Sequence, residues 1–275
     1  MTISLIALTG ADRLAWLAAD PDGTPLGSAF LRASGGELQV HVHPAERRRG
    51  VGSSLLDAAV AAARDQGRRS VVTAPVEEGS PGELFFAARG LRRVLTLTYT
   101  RLDLAAEVPA ELPAAGYRLV SWSGRVPDEL AATFAEARKA MDDMPMDDAD
   151  LPPQQWDIAR VRAVADAVAN RGDHLITVAA VAADGSIAGF TELVVPGSGT
   201  GDGQHYGTGV LPGHRGRGLA RAMKVESIRL ARSRFPELSG LLADTADSNS
   251  RMRRINDDLG YARTHRSLMF QVDLP

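Results

Sequence analysis

Two short segments combine arginine and glycine in a pattern suited to binding a diphosphate. The first, RRRGVG, contains Arg47, Arg49, Gly50 and Gly52, and the second is RGRGLA at residues 215–220. Each follows a strand-like run that ends in Val-x-Pro, and each precedes a helix-like run. Glycine lets the backbone approach phosphate oxygens, unpaired N–H groups at a helix start attract anions, and arginine adds positive charge. Both segments are therefore predicted to cradle a diphosphate.

The spacing of these segments is that of a known signature. Residues 47–52 and 215–220 both match Q/R-x-x-G-x-G/A, the signature of the GCN5-related N-acetyltransferase (GNAT) superfamily. Around each match the same order recurs: strand, Val-x-Pro, helix, strand, short helix, glycine and a last strand. The chain resembles the tandem, two-domain type of this superfamily, and an internal duplication is the simplest account.

The resemblance implies that acetyl-CoA is bound as a co-substrate by residues of both halves. In the second half these are Val210, Arg215, Gly216, Arg217, Gly218, Leu219, Ala220, Asn249 and Asn256, and in the first half they are Val42, Arg47, Arg49, Gly50 and Gly52. Asparagine is also a good helix cap, so a structural role for Asn249 stays open.

Acetyl transfer to an amine requires a proton acceptor, a donor to the oxyanion and a proton for the leaving thiolate. The resemblance implies an acceptor on the strands before the second cradle, where Glu192, His205 and Tyr206 are candidates. Each of the three could instead be a core or surface residue without a catalytic role. Deprotonation of the amine through a water molecule is compatible with any of these assignments. The tyrosine that commonly protonates the thiolate is replaced by Asn256 and Phe86, so no acid is assigned.

Apolar periodicity and turn residues divide the chain into two α/β units. Residues 1–104 form the first, 105–116 have a linker composition, and 117–275 form the second. The resemblance implies an α/β (α+β) fold for each, a mixed, mostly antiparallel twisted sheet flanked by helices, with splayed strands four and five. Two helices that form a wall of the acceptor site are predicted only in the second half. The first domain is therefore expected to be degenerate and the second catalytic.

An acidic segment lies between those two helices and contains Asp142, Asp143, Asp147, Asp148 and Asp150 without a basic residue. At the edge of an acceptor cleft it would attract a cationic amine. Otherwise it is a solvated acidic loop. Its spacing does not follow the EF-hand pattern, and no metal site is expected.

Composition excludes several classes of function. The 275 residues include no cysteine, which excludes disulfides, thiolate nucleophiles and cysteine-ligated metals. The net charge of −3, the lack of a long apolar run and the absence of a basic start argue against nucleic acid, membrane and secretion. A cytoplasmic location is expected, and a tandem repeat favours a monomer. Only Lys139 and Lys224 are lysines, which leaves little room for a Schiff base.

The sequence thus favours an acetyl-CoA-dependent N-acetyltransferase whose second domain acetylates a primary amine of a small cationic molecule by direct attack on the thioester. Two alternatives stay open. One is a non-catalytic acyl-CoA-binding or regulatory protein. The other is a peptide or protein N-acetyltransferase.

Overall fold

A computed structural model describes residues 3–10, 13–32, 37–107, 115–151 and 154–274. Most of the expected linker, residues 108–114, lies outside this part of the chain. The strands are β1 (Ser4–Gly10), β2 (Arg13–Ala19), β3 (Pro25–Arg32), β4 (Glu37–Val42), β5 (Ser70–Thr73), β6 (Val76–Glu77), β7 (Arg92–Asp103), β8 (Tyr117–Ser123), β9 (His174–Ala182), β10 (Ile187–Val195), β11 (Gly201–Val210), β12 (Leu238–Ala246) and β13 (Ala262–Asp273). The α-helices are α1 (Val51–Asp65), α2 (Pro81–Ala88), α3 (Asp128–Ala137), α4 (Ile158–Asn170), α5 (Leu219–Arg234) and α6 (Ser250–Asp258).

The chain forms two compact units, and neither is continuous in sequence. Unit 1 comprises Met1–Leu97, Met146–Pro152 and Arg266–Pro275, and unit 2 comprises Thr98–Pro145 and Pro153–His265. The division differs from the expected ranges of 1–104 and 117–275 for two reasons. The twelve-residue strands β7 and β13 each have residues in both units. In addition, part of the acidic segment belongs to unit 1.

Unit 2 has the sheet order β7-β12-β11-β10-β9-β8. Strands β8 to β11 pair antiparallel, and β11 pairs parallel with β12. That parallel pairing ends where Gln204 lies opposite Leu242, although β11 continues to Val210. Strand β10 is buried throughout because it packs between α5 on one face and α3 on the other. The structure confirms a mixed, mostly antiparallel sheet with splayed fourth and fifth strands.

Unit 1 repeats this arrangement with the order β1-β2-β3-β4-β5-β13. Strand β4 pairs parallel with β5 only at Glu37 and Leu38. In unit 1 only two residues separate β1 from β2. At the corresponding place in unit 2, the helices α3 and α4 separate β8 from β9. The two helices predicted only in the second half are therefore found only there, in the described part of the chain.

The turn before α1 contains a strained residue. Gly50 precedes the helix with a φ of 84°, and Arg48 has a φ of 64°. In the matching turn of unit 2, a glycine, Gly216, takes the same left-handed conformation with a φ of 77°. A side chain with a Cβ destabilises this conformation by about 1 kcal/mol.

Replacing Arg48 by glycine is expected to stabilise the protein by about 1 kcal/mol relative to Arg48→Ala. Both variants lose the arginine side chain, but only glycine removes the steric conflict of the Cβ. Urea denaturation of the two variants measures the difference. Equal free energies of unfolding would contradict strain at this turn.

Candidate active site

A cleft of about 1010 Å³ opens in unit 2, where β11 and β12 separate. Its walls are the second half of β11, the first turns of α5, the end of β12 and helix α6. Because β12 diverges from β11 after Gln204, the backbone groups on that edge of β11 have no strand partner beyond this point. The cleft therefore offers main-chain hydrogen-bond donors as well as side chains.

Residues 215–220, here called the cradle, form one edge of the cleft. Gly216 and Gly218 both have left-handed backbone conformations, and Gly218 precedes α5. The start of α5 has no side-chain cap, so its first N–H groups are not satisfied by the helix or by a capping side chain. A Cβ built on Gly216 would meet no atom within 4 Å. The cradle is therefore open and presents partial positive charge.

Arg215 supports the cradle rather than extending into the cleft as a free cation. Its Nε donates to the carbonyl of Val210 at 2.9 Å, and its two terminal nitrogens bind both oxygens of Asp143 at 2.6 and 2.7 Å. This bidentate bond lowers the pKa of the Asp143 carboxyl. The expectation that Arg215 attracts phosphate through its own charge is thus not supported, because Asp143 neutralises that charge. Arg217 instead lies over the ring of Tyr117.

Two asparagines line the cleft, Asn249 immediately before α6 and Asn256 within it. Asn249 caps the helix, because its Oδ1 accepts from the N–H of Met252 at 3.2 Å. Asn249 therefore has the structural role of a helix cap, and it also borders the cleft. Asn256 is buried, and its Nδ2 donates weakly to Thr245 Oγ1 at 3.4 Å. Its Oδ1 has no hydrogen-bond partner in the described chain, so it is a buried acceptor at the cleft wall.

The three predicted proton acceptors are separated by the fold. Glu192 is buried in an ion pair with Arg138 and does not line the cleft. Its carboxylate is therefore poorly placed to accept a proton from a substrate. His205 and Tyr206 both line the cleft. Tyr206 is an exposed residue, and its hydroxyl accepts a hydrogen bond from Arg171 at 2.8 Å.

His205 is a neutral, buried imidazole. Its Nε2 lies 2.8 Å from the hydroxyl of Tyr261. Burial, and secondarily the charge of Lys224, holds the pKa of His205 well below 6.5. At pH 7 it is therefore neutral but weakly basic.

The acidic segment does not form one continuous rim at the cleft. Asp143 lines the cleft and is paired with Arg215. Asp150 accepts from the hydroxyl of Ser70 in unit 1, and the N–H of Asp148 donates to the carbonyl of Val94 in the same unit. The negative charge expected at the acceptor site is thus divided between the units.

Lys224 lines the cleft, although the sequence alone predicted no role for it there. It lies on α5, is only 2% exposed, and still lines the cleft. Its Nζ is 4.7 Å from the ring centroid of Tyr261. Burial lowers the pKa of Lys224 to about 7, and the negative charge of Asp244 opposes part of that effect. The available signal was a lysine between Met223 and Val225, on the buried face of the helix.

Unit 1 retains the backbone of the cradle. Gly50 precedes α1 with no side-chain cap, and Arg47 Nε donates to the carbonyl of Val42 at 3.4 Å, as Arg215 does to Val210. Arg49 is paired with Glu46. The two predicted diphosphate segments therefore both begin helices with open N-termini.

The space beside the unit 1 helix is occupied by aromatic rings. A Cβ at Gly52 would lie 3.3 Å from the ring of Phe85. Phe86, at the position equivalent to Asn256, is buried against Phe270. Apolar side chains thus take the place of the polar wall that α6 provides in unit 2.

The described residues meet neither the requirements of a metal-ligating cluster nor those of a membrane-spanning helix. No group of three or more histidine, aspartate or glutamate side chains there could hold a metal ion. No helix of that part of the chain is long and apolar enough to cross a membrane.

Comparison with known proteins identifies related sequences. The family model described as "Acetyltransferase (GNAT) family" matches residues 4–91 and 139–261. Mycothiol acetyltransferase of Clavibacter michiganensis subsp. michiganensis is 34% identical over 220 residues, covering 78% of this chain and 66% of the relative. The protein of the same name from Clavibacter sepedonicus is 32% identical over 226 residues, covering 79% and 68%. The chain spans about two thirds of the length of these curated relatives.

Solved structures share the fold. A tandem GNAT protein from the clavulanic acid biosynthesis pathway superposes with a TM-score of 0.75 at 25% identity, covering 95% of this chain and 82% of that one. A GCN5-related N-acetyltransferase from Sphaerobacter thermophilus gives a TM-score of 0.71 at 20% identity, with 96% and 81% covered. The latter likeness concerns the fold alone.

Replacing Lys224 by methionine is expected to raise the free energy of unfolding most at or below pH 7, because it removes a buried ammonium group. Between pH 7 and 10.5 the folded wild-type protein has a neutral Lys224, whereas the unfolded chain still binds that proton, so wild-type stability rises. The advantage of the variant should shrink over that range. Urea denaturation across pH measures it, with Lys139→Met as the exposed control. A difference independent of pH would contradict a lowered pKa.

Proposed function

The chain belongs to the acetyltransferase (GNAT) family, and we propose that unit 2 transfers the acetyl group of acetyl-CoA to a primary amine of a small cationic molecule. The observation that carries the proposal is the uncapped cradle at the edge of the cleft between β11 and β12. Relatives named mycothiol acetyltransferase support acetyl transfer involving a small molecule.

The residues of the cleft fit acetyl-CoA. The open N–H groups of the cradle would hold the diphosphate, as anions bind at helix starts generally. The unpartnered Oδ1 of buried Asn256 would accept an N–H of the pantetheine chain. Arg215 would keep the cradle in place through Asp143 and Val210. When bound, acetyl-CoA supplies the thioester carbon that the amine attacks.

The exposed edge of β11 would stabilise the oxyanion. After Gln204, those of its N–H groups that point away from β10 face the gap left by β12, and a fixed main-chain donor costs no reorganisation during the reaction. His205 and Tyr206 stay the proposed side chains for amine deprotonation because both border the cleft, with water as a compatible relay. Glu192 is not proposed as the proton acceptor, because its carboxylate is paired with Arg138.

One observation favours a second candidate function, non-catalytic binding of an acyl-CoA. Asn256 occupies the position where the family commonly has a tyrosine that acts as general acid. An amide does not release a proton near neutral pH. A protein that binds acetyl-CoA without turning it over would satisfy the cradle equally well.

A screen of aminoglycosides, amino sugars, amino acids and polyamines with acetyl-CoA, followed by thiol detection, distinguishes the two functions. We expect release of CoA that depends on at least one amine. Tight binding of acetyl-CoA with no turnover of any amine would favour the second function.

Replacing Gly218 by valine should weaken acetyl-CoA binding by about ten- to a hundredfold, because the branched side chain disturbs one or two charge-assisted hydrogen bonds of the cradle. Isothermal titration calorimetry measures the dissociation constant. Gly185→Val is the matched control, since Gly185 has a φ of 87° and lies outside the cleft. Equal affinities of the two variants would contradict a diphosphate site at the cradle.

A further inference from the structure

The cleft contains no acidic hydroxyl at the position where the family resemblance places one. Asn256 occupies that position, and its amide cannot supply a proton to a leaving sulfur. A free thiol has a pKa of about 8.5, so a thiolate that departs at pH 7 is stabilised by a proton or a neighbouring cation. If unit 2 transfers acetyl groups, the proton or the cation has to come from another group of the cleft or from water.

Lys224 is placed to face the co-substrate. It follows Gly218 by six residues on α5, which corresponds to about 9 Å along the helix axis. The side chain of Lys224 borders the same cleft as the cradle at the start of that helix. A group on this helix is positioned to meet the acetyl-CoA that the cradle would hold.

The surroundings of Lys224 leave its ammonium free to act. Three titratable groups interact with it, namely His205 from β11, Asp244 from β12 and Tyr261 just before β13. His205 is neutral, and Tyr261 offers only its ring face to the Nζ. Asp244 is exposed and is already bonded to Gln204 Nε2 at 3.1 Å. In the described chain no carboxylate forms a salt bridge with Lys224.

We propose that Lys224 donates the proton that the CoA sulfur takes up as the acetyl group leaves, an inference that rests on the proposed acetyl transfer. The neutral amine forms the C–N bond with the thioester carbon. The C–S bond breaks, and its electron pair goes to the sulfur. The Nζ–H of Lys224 gives its proton to that sulfur. The neutral Nζ then receives the second proton of the attacking nitrogen, which that nitrogen loses as it becomes the amide; the first proton was removed before the attack by the acceptors proposed above. Atoms and charges balance without a further reactant.

The chemistry of a buried ammonium suits this step. Burial brings the pKa of Lys224 to about 7, close to that of a thiol, so the proton can move either way at small cost. Before the transfer is complete, the same positive charge stabilises the developing thiolate, and the effect is larger in a buried site than in water. An exposed lysine would hold its proton too strongly.

The test measures the thiol of bound CoA and needs no acceptor amine. The full-length protein is saturated with CoA, and the ultraviolet absorbance of the thiolate is followed against pH. A thiolate beside Lys224 favours the ammonium form of the lysine, and that ammonium should in turn lower the pKa of the bound thiol by about one pH unit or more relative to free CoA. Lys224→Met should abolish this lowering, and Lys139→Met, which alters the other lysine on an exposed 3-10 turn, should retain it.

Thermal unfolding verifies that the variants are folded, and Lys224→Gln replaces Lys224→Met if methionine is not tolerated. A bound thiol that titrates like free CoA would overturn the role of Lys224 and leave the acetyl-CoA site intact. A lowered thiol pKa that the Lys224 variants retain would also overturn it, because the helix start would then be the cause. Failure of the wild-type protein to bind CoA would overturn the proposed function together with this inference.

Discussion

The site depends on the separation of β11 from β12 after Gln204. Two parallel strands that stay paired satisfy each other's backbone groups and leave no space between them. Once they separate, the N–H groups along one edge of β11 need another partner, and a cleft opens that reaches into the interior. The cradle, Asn256 and Lys224 all lie on the walls of that opening. A chemical role for any of them requires this gap.

Comparison of the two repeats shows how little of a cradle specifies function. Both units place a left-handed glycine before an uncapped helix, and both anchor an arginine on the strand before it. They differ in what lies beside the helix. Phe85 and Phe86 fill that space in unit 1, whereas α6 presents Asn249 and Asn256 in unit 2. The surroundings, more than the motif, therefore distinguish an open cleft from a packed core.

Ion pairs determine which charged side chains of unit 2 are available to a substrate. Arg215 and Glu192 each looked like functional charges in the sequence, and each is occupied by an opposite charge, Asp143 and Arg138 respectively. Such pairs stabilise the loop and the sheet face on which they lie, but they are less available to a substrate. Lys224 is the reverse case. Lacking a salt bridge in the described chain, it keeps a perturbed proton affinity within the cleft.

The sequence by itself determined the duplicated α/β fold, the helix that follows each cradle segment, the helices restricted to the second half and the two glycine turns. These depend on local patterns, namely apolar periodicity, turn residues and the short motif spacing, which act over a few neighbouring residues. The tertiary structure alone decided that β7 and β13 are shared between the units, that Glu192 is paired with Arg138, and that Lys224 reaches the cleft. Those features depend on contacts between residues far apart in the chain, and burial and charge pairing arise only when such residues meet.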